Sequence, residues 1–170
     1  MEVILRKLNI YRNEAAIKTI AAYKTLGEVN LVMVTANADS SGTLQKISYA
    51  YGWNTDQFLT AAKKVNKRKK VAMIYDASPK VILIPKCDTK EEAVKYIDDV
   101  IDLISEEDVE VLSITHFAYI ENFPEEHINL VIDSLHRISN AGVKVTYLDI
   151  ESKFYDSIKL KMTSEFYQKI

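Results

Sequence analysis

The chain has 170 residues, 48% of them hydrophobic and 27% charged, with a formal net charge of -2. That length buries a core and is most simply one domain spanning residues 1–170, and the near-neutral charge excludes a strong whole-molecule field for nucleic acid or anionic lipid. One cysteine, Cys87, excludes an internal disulfide and a cysteine-based zinc site, which points to a reducing, cytoplasmic setting.

The opening MEVILRKLNIYR has charges spread through it and no long apolar run, so it does not read as a signal peptide. No stretch approaches the roughly 18 apolar residues of a membrane span, so no membrane partner is expected. Residues 2–11 alternate at Val3, Leu5, Leu8 and Ile10 and predict a strand. Asn13 is placed to cap a helix to about Leu26, with Gly27 at its exit. Residues 29–35 form a continuous apolar run, the pattern of a strand covered on both faces. Residues 43–51 predict a helix ending at Gly52, and a second begins near Thr55 with Phe58, Leu59, Ala62 and Val65 on one side.

Two strands follow, KKVAMIY (69–75) and KVILIP (80–85), separated by a turn at Ser78-Pro79. Thr89 with Glu92 is a capping box opening a helix to about Ser105, whose apolar stripe is Val94, Ile97, Ile101 and Ile104. Val109–Thr115 is another buried-type strand. Pro124 suits the first turn of a helix, and Glu125 and Glu126 complement its dipole. That helix carries Ile128, Val131, Ile132, Leu135 and Ile138 and stops at Gly142. Val143–Leu148 is the last strand, and residues 151–168 predict a closing helix. Strands separated by helices need crossovers, so the expected fold is α/β: a three-layer αβα sandwich with a mainly parallel central sheet. Ligands of such sheets collect at the carboxyl ends of the strands.

The polar loop between the apolar strand and the next helix is the first candidate site: Asn37, Asp39, Ser40, Ser41, Gly42 and Thr43. A phosphate loop needs inward-facing backbone N–H groups, glycines, a lysine and a Ser or Thr for magnesium. Here Gly42 runs directly into Thr43 without the lysine, which leaves a modified phosphate loop and an ordinary capping loop as the two readings. His116, Tyr119 and Asp149 are candidates at other strand ends. His116 has the pKa range of a general acid or base, but no nucleophile is placed beside it. His127 and His136, nine apart on one predicted helix, face opposite ways and cannot share a metal; no metal site is expected. Lys63, Lys64, Lys67, Arg68, Lys69 and Lys70 form a basic cluster able to grip nucleic-acid phosphates, with Tyr49, Tyr51 and Trp53 upstream as stacking faces. A solvated helix end whose cations complement the dipole explains the same cluster. Ten tyrosines and an acidic helix face suit a protein partner or a homo-oligomer.

The order strand, TANADSSGT, helix, KKVAMIYDAS, VILIPKCDTKEEAVKYIDDVIDLI, EVLSITHF and GVKVTYLDI resembles the RecA/KaiC-type P-loop ATPase fold over about residues 28–150. Lysine is absent after Gly42, and Thr115-His116 stand where that family places its magnesium-organising acid. The resemblance therefore implies a member with degenerate motifs that does not hydrolyse ATP, an accessory to nucleic acid or to a protein assembly. TANADSSG (35–42) and THFAYIENFPEE (115–126) also resemble the two ligand loops of macro domains, which bind ADP-ribose. That second loop is normally glycine-rich, and Phe117–Phe123 has no glycine. The second resemblance implies a nucleotide or ADP-ribose binding module and carries over one residue, Asn37. Neither resemblance brings an intact catalytic motif or a required cofactor; a nucleotide is the ligand both allow.

Overall fold

The computed structural model describes residues 2–8, 29, 31–36, 42–107, 109, 111–115, 124–165 and 167–168. Its elements in chain order are β1 (Glu2–Leu8), β2 (Leu31–Thr35), α1 (Thr43–Tyr51), α2 (Thr55–Arg68), β3 (Ala72–Ile74), β4 (Lys80–Ile84), α3 (Lys90–Glu106), β5 (Val111–Thr115), α4 (Pro124–Asn140), β6 (Lys144–Glu151), α5 (Ser152–Glu165) and β7 (Tyr167–Gln168). The helix expected over residues 13–26 lies outside the described residues.

Every residue of β2 is buried, as an unbroken apolar run requires. Leu31 and Met33 point into one core and Val32 and Val34 into another. β4 repeats the division, with Ile82 and Ile84 on the first side and Val81 and Leu83 on the second. α3, α4 and α5 close the first core through residues such as Ile97, Val100, Leu135 and Ile158. α1 and α2 close the second through Ile47, Tyr51, Trp53, Phe58 and Val65. Helices on both faces of one sheet make the three layers.

The strand order is β3-β4-β2-β5-β6-β1-β7. β2 runs parallel to β4 and β5, β5 to β6, and β1 to β6 and β7. β3 runs antiparallel to β4, with Met73 opposite Ile82. The sheet is therefore mixed: among the described residues, five of its six strand pairings are parallel and one, β3 with β4, is antiparallel. The reason is local: residues 75–79 join β3 to β4 without a helix, and so short a link returns the chain only antiparallel. Tyr75, in that link, donates to Glu107 Oε1 at 3.0 Å, and the Lys80 ammonium sits 3.9 Å from Glu107 Oε2 and 5.7 Å from the centre of the Tyr75 ring. This contact ties the hairpin tip to the end of α3. The closing helix also differs from expectation. α5 stops at Glu165, and Tyr167 and Gln168 pair with Glu2 and Val3 as an edge strand.

Helix ends follow their local chemistry. Asn54 caps α2, its side chain accepting from Gln57 N at 2.9 Å. α2 ends where Lys69 turns left-handed at φ 53 and sends its N–H back to Val65 O. Thr89 caps α3, accepting from Glu92 N at 3.2 Å. The buried face of α3 is Ala93, Tyr96, Ile97, Val100 and Ile104, turned slightly from the expected stripe so that Val94 and Ile101 are only half-buried. Among the described residues no helix is long and apolar enough to cross a membrane.

Phe58 is 1% exposed and packs on Trp53 with ring centres 5.3 Å apart. Phe58→Ala is expected to cost roughly 3–5 kcal/mol in urea unfolding. Thr60→Ala, on the exposed side of the same helix, is expected to stay within about 0.5 kcal/mol of the parent.

Candidate functional site

The sheet order locates a crevice before any side chain is considered. From β2 the chain passes through α1 and α2 to β3 and β4 on one side. From β5 it passes through α4 to β6 on the other side. β2 and β5 are adjacent and parallel, Val34 lying beside Thr115. Two neighbouring strands whose outgoing connections diverge leave a cleft at their carboxyl ends, the usual ligand position in open α/β sheets. The segments that leave this point are residues 36–42 and 116–123.

The floor of the cleft is held from behind by α2. Ala36, fully buried directly after β2, donates its N–H to Ile84 O at 2.7 Å. Asn66 on α2 donates from Nδ2 to Ala36 O and accepts at Oδ1 from Lys86 N at 2.8 Å. One amide side chain thus pins the exit of β2 to the exit of β4. The sequence held no sign of this residue, because its partners are 30 and 20 positions away.

The helix that follows β2 in the chain is α1. Gly42 precedes it at φ 71, a left-handed conformation that side chains resist, although a Cβ there would meet nothing nearer than Gln45 Oε1 at 3.8 Å. Among the described residues no side chain caps α1, and its first turn carries no acid. α2 and α3 differ on both counts, with caps at Asn54 and Thr89 and with Asp56, Glu91 and Glu92 in their first turns. An uncapped helix start offers its backbone N–H groups and the positive end of its dipole to an anion.

Of the residues expected to form the site, Gly42 and Thr43 are at this helix start. Asn37, Asp39, Ser40, Ser41, His116 and Tyr119 lie outside the described residues. Asp149 is not in a loop, because β6 continues to Glu151; it pairs with Arg6 on one side and with Thr115, the last residue of β5, on the other. Lys63, Lys64, Lys67, Arg68, Lys69 and Lys70 are all exposed at the end of α2 and just beyond it. The stacking faces proposed for that cluster are not available with it. Tyr51 and Trp53 are buried and stacked on each other with ring centres 4.5 Å apart, and only Tyr49, 63% exposed, faces solvent. Among the described residues no group of three or more His, Cys, Asp or Glu is placed to hold a metal.

Cys87 lies just beyond β4, buried, with its thiol directed at Pro85 O at 3.5 Å. Burial, with the charges of Glu92 and Asp88, pushes its pKa up to about 12. The thiol therefore stays protonated at neutral pH and is no nucleophile. A second cavity, of about 260 Å³, lies at the opposite end of β4, between Trp53, Asn54, Gln57, Asp76, Ser78 and Val81.

The sequence matches no protein-family model and no curated protein. Solved structures do match. The Oceanobacillus iheyensis macrodomain with ADP superposes with a TM-score of 0.57 at 12% identity, over 81% of this chain and 84% of that one. A variant of the same macrodomain with ADPR gives 0.52 at 10% identity, over 81% and 87%. The macrodomain of Thermus aquaticus DarG gives 0.53 at 14% identity, over 88% of this chain and 98% of that one. The fold is that of a macrodomain. The likeness is to macrodomains and does not support the RecA/KaiC-type reading. Alternating strands and helices are common to both kinds of fold, and local pattern does not reveal which strands become neighbours.

Asn66→Ala leaves Ala36 O and Lys86 N without their partner and is expected to cost about 1–3 kcal/mol in urea unfolding. Cys87 in the native protein is expected to resist a disulfide reagent at neutral pH and to react only as fast as the chain unfolds. Labelling complete before unfolding begins would contradict its burial.

Proposed function

We propose that this chain is a nucleotide-binding module of macrodomain type, with ADP-ribose or a related nucleoside diphosphate as its ligand. What supports this reading is the sheet order, in which the connections after β2 and β5 diverge, together with the start of α1, where among the described residues there is neither a side-chain cap nor an acid in the first turn. A diphosphate is the ligand chemistry such a place favours, since it brings negative charge and many acceptor oxygens to unpaired N–H donors. The fold gives independent support, because two of its structural neighbours were solved with ADP and with ADPR.

In this reading the segment 37–43 wraps the phosphates, and Asn37 supplies a side-chain contact beside them. Gly42 admits the backbone turn that brings α1 up to the ligand. Asn66 keeps the exit of β2 in place. The segment 116–123 carries aromatic and amide residues in place of glycines. The activity assigned is binding. No residue is assigned a catalytic step.

Thermal unfolding tests this with ADP-ribose, ADP, ATP and NAD added singly. Ligand at about a hundred times its Kd stabilises the native state by about 2.7 kcal/mol, which for a domain of this size raises Tm by roughly 5–10 °C. ADP-ribose is expected to give such a shift, and Asn37→Ala to weaken binding at least about tenfold by calorimetry, a loss of about 1.4 kcal/mol. A flat Tm with all four ligands at millimolar concentration would overturn the reading.

A further inference from the structure

β3 is an outermost strand. It pairs with β4 on one side, and among the described residues nothing pairs with it on the other. In an antiparallel pair alternate residues turn their N–H and C=O groups away from the partner, so the three-residue β3 keeps a short outward edge whose donors and acceptors have no strand beside them among the described residues. Beside it runs a groove of about 350 Å³ between β3 and the second half of α2. Ala61 and Val65 from α2 and Val71, Met73 and Ile74 from the strand side give it an apolar lining, and Lys64, Arg68 and Lys70 stand along it. Lys63, Lys67 and Lys69 lie next to these three in the chain and are exposed. Among the described residues none of these six cations has an acidic partner. Dipole stabilisation accounts for the cations at the end of α2, Lys67, Arg68 and the C-cap Lys69, and not for Lys63 and Lys64 further back in the helix.

We infer that this groove is a docking site for an extended, acidic peptide segment that adds to the sheet alongside β3. The open strand edge supplies main-chain hydrogen bonds, the apolar lining takes alternate side chains, and the free cations select acidic residues between them. Nucleic acid matches the charge but not the rest. Single strands are held by stacking on aromatic rings, no aromatic residue lines the groove, and Tyr51 and Trp53 are buried against each other. The inference does not rest on the nucleotide reading, since it uses other residues and a different edge of the sheet.

Fluorescence anisotropy tests it with a short labelled peptide of alternating glutamate and valine. Three other probes run beside it: the same peptide with alternate backbone nitrogens methylated, a lysine–valine peptide, and an oligothymidine single strand. Saturable binding of the acidic peptide is expected, weakened about tenfold or more by backbone methylation and by the double substitution Lys64→Glu with Arg68→Glu. Both side chains are exposed, and circular dichroism of the variant confirms that the fold is kept. Absence of acidic-peptide binding overturns the proposal. So does undiminished binding of the methylated peptide, or of the acidic peptide to the double variant. Binding of oligothymidine more tightly than the acidic peptide would assign the patch to nucleic acid.

Discussion

β2 has no side that meets water, and from this the arrangement of the rest follows. Its alternate side chains enter two separate cores, so helices must lie on both faces, and its backbone must be satisfied by strands on both edges. Those strands are β4 and β5, and the connections that leave β2 and β5 run to opposite sides of the sheet. The cleft at their ends is a by-product of burying the most apolar strand centrally.

Behind that rim, α2 joins packing to positioning. Its inner face fills one core with Phe58, Ala62 and Val65, and its last turns carry Asn66 to the two strand exits. The same turns present cations to the groove along β3. A single helix therefore has three environments: an apolar one settled by periodicity, a polar one settled by hydrogen-bond geometry, and a charged one settled by exposure to solvent.

Much of the local structure was legible in the sequence because its causes are local. The Thr89 cap lies within one turn of its partner. The stop at Gly52 and the buried run 31–34 need no knowledge of distant residues. Sheet order, by contrast, depends on which strands meet, and nothing in KKVAMIY or KVILIP distinguishes a crossover from a hairpin except the shortness of the link between them. The same limit hid Asn66, an unremarkable polar residue in a lysine-rich stretch whose partners are far along the chain. It also made Trp53 look like a stacking platform, since an aromatic beside a basic cluster reads alike whether its ring is out in solvent or packed between Tyr51 and Phe58. The macrodomain likeness was read from TANADSSG and THFAYIENFPEE, and the structural neighbours support the fold that it implies. The P-loop likeness rested on element order alone, which many α/β folds share.

The two hydrogen bonds of Asn66 run in opposite senses, one given to a carbonyl and one taken from an amide N–H. Only one flip state of the carboxamide satisfies both, so the side chain has no freedom to turn over. A carboxylate or a leucine of nearly the same outline lacks the donor, the acceptor, or both. The rear wall of the cleft is accordingly maintained by the direction of a single dipole, and a residue matched only in volume cannot stand in for it.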